Sequence, residues 1–107
     1  MQFKFAQVFH DCILDELESV LGEKGAKFFL FHVESDRYIE DPRELHRNLY
    51  AMFEDGAVLL ERIIIKELFK RLNLPYEEDG DDFSFEMYAS RAKKLFIARQ
   101  KEIARDE

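Results

Sequence analysis

The chain has no threonine and no tryptophan, one cysteine, two prolines and four glycines. A lone cysteine, Cys12, excludes a disulfide within the chain and a cysteine-based zinc site, and fits a reducing cytosol, so a cytoplasmic protein is expected. There is no run of about 18 apolar residues, so no membrane-spanning helix is expected. No long apolar stretch follows Met1-Gln2-Phe3-Lys4, so no signal peptide is expected either. Positive charge is in deficit, at a formal net charge of −7, which argues against nucleic-acid binding by the surface as a whole.

Catalytic patterns are also missing. His10, His32 and His46 are scattered. Arg43 stands three residues before His46, so the Glu-x-x-His of a ferritin-like diiron site is absent. There is no His-Glu-x-x-His, no glycine-rich phosphate loop and no Gly-x-Ser-x-Gly. Ser19 and Ser35 lie in no nucleophile context, and residues 77–82 lack the alternating ligands of a calcium loop. Cys12 falls on an apolar stripe and reads as an inert small hydrophobe. The expectation is a protein with no catalytic residue, no cofactor and no metal.

What is present is apolar bulk and helix formers. The 107 residues are 47% hydrophobic and include eleven phenylalanines, enough for one folded domain over 1–107. Lys, Glu, Arg, Leu and Ile dominate, which favours helices. Few amides among many charges lean toward a thermophilic source. The fold expected is all-α, a compact orthogonal or up-down bundle of four to five helices, since short connections bring helices together as neighbours.

Five helical segments are legible. The first covers residues 3–21, with Gly22 and Gly25 as punctuation. The second covers 24–35 and is apolar on nearly every side, which reads as central and buried. The third starts with Asp41 as cap, Pro42 at the first helical position and Glu44 completing the spacing of a capping box. Gly56 is expected to end it in the left-handed conformation. The fourth covers 57–73, and Pro75 follows. An acidic loop occupies 76–83. The charged C-terminal helix, 84–107, opens with Ser84 as N-cap and Phe83 and Tyr88 at staple positions.

Helix-period plotting divides the first segment into two stripes. One holds Phe5, Val8, Phe9, Cys12, Ile13 and Val20. The other holds Phe3, His10, Leu14, Leu17 and Leu21, with the spacing of a coiled-coil seam. That second stripe fits either a helix sandwiched in the bundle or a dimer seam. The fourth segment has a core stripe of Ala57, Val58, Ile64, Ile65, Leu68 and Phe69, continued by Leu72. Leu59, Leu60 and Ile63 lie on its other side, beside Lys66, Glu67 and Lys70. Phe3, Leu14, Leu17, Leu21, Leu59, Leu60 and Ile63 are therefore the candidate interface.

Glu61 falls inside the core stripe of the fourth segment. An unpaired carboxylate there costs several kcal/mol, so a partner or a proton is required. His32 and Arg99, each on an apolar stripe, are the candidate partners. The trio His32, Glu61 and Arg99 reads as a buried polar lock fixing helix register, or as a site sensing a ligand or a proton. The segment 91–105 carries six Lys and Arg against Glu102; these charges offset acidic neighbours or face water, or they contact phosphate.

The order Gly22-x-Lys24, a Phe28-to-Glu34 helix with His32, the Pro42 helix start, and Phe53-x-x-Gly56-Ala57 followed by Leu60-Glu61 and Ile64 resembles the small archaeal helical domains called Nitrosopumilus output domains. The resemblance covers about residues 5–96. It implies a helical module associated with signal transduction, alone or fused to other domains, with no catalytic residue to carry over. The functional expectation is a noncatalytic regulatory or protein-interaction module, dimerising with itself or docking another protein through helix faces. The alternatives are a nucleic-acid-associated regulator using the basic C-terminal helix, and a small ligand-binding protein built on His32, Glu61 and Arg99.

Overall fold

A computed structural model describes residues 2–32, 41–78 and 83–106, with side chains over 4–31, 41–78 and 83–102. Four helices form among the described residues: α1 (Gln2–His32), α2 (Pro42–Phe53), α3 (Gly56–Arg71) and α4 (Phe85–Asp106). No strand occurs among the described residues, so the chain folds as an all-α bundle. Among those residues α3 and α4 each pack against the other three helices, whereas α1 and α2 do not meet.

The helix ends follow local chemistry. Asp41 caps α2: its Oδ1 accepts from the Arg43 backbone N–H at 3.2 Å, and Pro42 occupies the first turn. Ser84 does the same for α4, its Oγ accepting from the Met87 N–H at 3.2 Å. The Phe83 and Tyr88 rings stack across that cap at 5.2 Å and 14°, the hydrophobic staple expected of their spacing. α3 closes in a Schellman motif. The Leu74 N–H donates to the Phe69 carbonyl at 2.8 Å and the Asn73 N–H to that of Lys70 at 3.0 Å, with Asn73 left-handed at φ 58°. Leu74, beyond the turn, is buried against the core.

Three expectations are corrected. First, the helical run 2–32 breaks at Gly22 (φ 80°, ψ 167°) into two stretches, as the glycine predicts, but the second stretch is not the buried central helix expected. Ala26 and Phe29 are buried, but Phe28 is 64% and Phe31 82% exposed. Among the described residues α1 packs only against α3 and α4, which cover part of its circumference. Val20, placed on a core stripe, is exposed beside the kink. Residues 33–35, the expected end of the second segment, lie outside the described residues.

Second, Gly56 does not end α2; it begins α3. The left-handed residue is Glu54 (φ 53°, ψ −125°), followed by Asp55 (φ −64°, ψ −23°). These dihedrals are close to those of a type II′ turn, whose first central position usually belongs to glycine. The α2–α3 connection is thus only Glu54-Asp55, which forces the two helices together from their shared corner. Third, two residues of the candidate interface are core: Leu17 is fully buried and Leu60 nearly so. Leu14 and Leu21 are partly buried and pack against the same core. Apart from Leu17, the described residues of the second stripe of the first segment are only partly covered by the bundle. The side chain of Phe3 lies outside the described residues.

Candidate functional site

Two features of α3 stand apart from ordinary core and surface. One is inside. Glu61 sits between Ala57 and Ile65 on the inward face and is 1% exposed. Its Oε2 lies 2.7 Å from Nδ1 of His46 on α2. Leu45 and Leu49 are buried on α2, which places His46 at the rim of that stripe with its side chain 46% exposed. Burial pushes the Glu61 carboxyl above the usual carboxylate range, and the bond to His46 pulls the other way. Because Nδ1 is engaged by Glu61, Nε2 is the ring nitrogen left for any outside partner. The pair borders a cavity of about 190 Å³ between α2, α3 and the start of α4, lined also by Arg43, Val58 and residues 83–86.

The expected trio is not brought together. Arg99 reaches the C-terminal end of α3 instead. Its Nη1 donates to the carbonyls of Leu72 at 3.1 Å and Asn73 at 2.7 Å. A guanidinium at that end satisfies carbonyls that no helical N–H can reach and complements the helix dipole. The side chain of His32 lies outside the described residues. His46, which does hold Glu61, was overlooked because it stands off the apolar stripe of its helix. The signal that finds it is the short turn: His46 lies eight residues before Glu54 and Glu61 seven after it. Residues at similar distances from a tight two-residue connection are natural neighbours.

The second feature is outside. Leu59 is 64% and Ile63 44% exposed, one helical turn apart. At 100° per residue they share a narrow stripe with Asp55, Lys66 and Lys70, all three exposed. The other charges of α3 are engaged within the chain. Arg62 forms a close ion pair with Glu78 at 2.9 Å and lies over the Phe83 ring. Arg71 donates to Asp15 of α1 at 2.7 Å and to Glu67 at 3.0 Å. Asp55, by contrast, makes no side-chain cap bond, and neither Lys66 nor Lys70 is paired with a described residue.

Elsewhere the chemistry is quiet. Cys12 is buried, and that burial pushes its thiol up to about 12, which keeps it in the unreactive form. Among the described residues no group of three His, Cys, Asp or Glu is placed to hold a metal, and no helix is long and apolar enough to cross a membrane. On α4, Arg99 is committed to its carbonyls and Arg91 lies 4.9 Å over the Tyr88 ring, so not all of its cations face outward unengaged. Compared with protein-family models, curated proteins and solved structures, the chain matches none.

Proposed function

We propose that the chain is a noncatalytic protein-interaction module that dimerises through the outer face of α3. The observation that carries this reading is the pair Leu59 and Ile63, large aliphatic side chains held in water on the helix at the centre of the bundle. Isolated exposed apolar residues are ordinary. Here two lie in register on one rigid helix, bordered by charges that the chain itself leaves unengaged. The resemblance of the motif order to that of the signalling-associated output domains favours a role in transmitting a state between proteins rather than in chemistry.

Removing such side chains from water contributes about 25 cal/mol per Å² before the cost of association. A contact of this size falls below the standard interface, so a dissociation constant of roughly micromolar or weaker is expected. Light scattering across protein concentrations tests the proposal. The wild type should approach twice the mass of one chain at high concentration. Leu59→Glu should stay at the mass of one chain, with an unfolding midpoint equal to that of the wild type at concentrations where both are monomeric, since Leu59 contributes little to the core. A wild type that stays monomeric at millimolar concentration would sink the idea.

A further inference from the structure

The outer stripe of α3 has an internal symmetry that identifies its partner. From N- to C-terminus it reads Asp55, Leu59, Ile63, Lys66, Lys70: acid, two aliphatic residues, then two bases. All five are exposed. The acid caps nothing and the bases pair with no described residue. A closed two-fold interface must be self-complementary, with each patch meeting its own copy reversed. This stripe meets that condition. With 1.5 Å of rise per residue, Asp55 lies about 9 Å before the level of Glu61 and Lys66 about 7.5 Å after it.

We infer that α3 pairs with α3 of a second copy of this chain, antiparallel, around a two-fold axis at the level of Glu61. Leu59 then faces the partner's Ile63, and Ile63 the partner's Leu59. Asp55 falls beside the partner's Lys66, with the partner's Lys70 one turn beyond, and each such contact occurs twice. A parallel pairing sets Asp55 against the partner's Asp55 and lysine against lysine, so like-charge repulsion disfavours it. The same pattern gives the face its selectivity. An acid–apolar–base stripe matches only a surface presenting the reverse order, and the reversed copy of itself supplies that surface. The pairing presupposes that this face associates at all, the role proposed above.

Charge reversal separates the two ideas. Asp55→Lys makes the stripe wholly basic, and Lys66→Glu with Lys70→Glu makes it wholly acidic. Each variant alone should lose self-association by roughly tenfold or more, since each reversal counts twice across the axis. Mixed one to one, the two variants should form a heterodimer at about wild-type affinity, read by sedimentation velocity with one variant fluorescently labelled. Added salt should erase the differences between variants, because exposed charges are screened. A wild-type dimer whose affinity ignores these reversals, or variants that fail to recover on mixing, overturns the antiparallel register and leaves the dimer standing. A monomeric wild type overturns both. Far-ultraviolet circular dichroism confirms that each variant keeps its helices, and Asp55→Asn serves as a second probe of that position should Asp55→Lys unfold.

Discussion

Glu61 shows how far a single residue can be read from its neighbours. Its place among Ala57, Ile64, Ile65 and Leu68 is enough to put it indoors, and it is 1% exposed. Its partner was not legible, because His46 sits on the rim of another helix and only the corner at Glu54 brings the two together. Two consequences follow for Glu61. Glu61→Leu keeps the volume and removes a costly buried carboxyl, so its stability should stay within about 1 kcal/mol of wild type or exceed it. Glu61→Ala leaves a void and should cost about 2–3 kcal/mol. Urea unfolding at neutral pH ranks the two, and equal stability would mean that Glu61 is not enclosed. The pH dependence has a definite sign. A carboxyl whose folded-state pKa is raised contributes stability that is fully present below its unfolded-state pKa and is lost as pH rises through the folded one. Glu61→Gln keeps a hydrogen-bonding amide without the titration. The midpoint difference between wild type and Glu61→Gln should therefore shift against the wild type as pH rises above about 4, where a free glutamate ionises. A shift in the opposite sense would mean that the bond to His46 outweighs burial.

Elements were legible where their ends are decided locally. Asp41 with Pro42 and Ser84 with Phe83 and Tyr88 act within one turn of sequence, and their hydrogen bonds and ring stacking follow the spacing. The α2–α3 corner was misread for a physical reason. Gly56 is the residue best suited to a positive φ, yet the turn places that conformation two residues earlier, on Glu54 at φ 53°. A side chain there carries about 1–3 kcal/mol of backbone strain. Glu54→Gly should relieve it, less the extra entropy glycine loses on folding, for a net gain of about 1 kcal/mol. That corresponds to a thermal midpoint about 4–8 °C higher by calorimetry. A fall in midpoint would show that the Glu54 side chain makes up for its own strain. The apolar run 28–31 departs from expectation for a different reason. Continuous apolarity signals burial only if neighbours exist on every side, and among the described residues α1 has two neighbouring helices.

At the scale of the whole molecule, the weight of Lys, Glu, Arg and Leu together with helix-period stripes was sufficient for an all-α bundle, although its Phe, Tyr, Ile and Val also suit strands. Which apolar stripe faces inward was not decidable from period, since Leu59 and Leu60 are adjacent in sequence yet 64% and 6% exposed. That choice belongs to the arrangement of α1, α2 and α4 around α3. If the exposed stripe joins two chains, stability and association are linked. The thermal midpoint of the wild type should rise with protein concentration, by the equivalent of about 0.7 kcal/mol per chain for each tenfold increase above the dissociation constant. For Leu59→Glu the midpoint should be independent of concentration. Differential scanning calorimetry over a hundredfold range of concentration decides this.

Arg99 carries a different kind of consequence. The turn that closes α3 is completed by a side chain 26 residues further along the chain than the Asn73 carbonyl it binds. During synthesis, then, α3 can coil and its Schellman turn can form, but two carbonyls at its end remain open to water until α4 has emerged and docked. In a chain cut short before α4, water would take the place of Arg99 at the Leu72 and Asn73 carbonyls, so the end of α3 is closed by protein only once α4 is present.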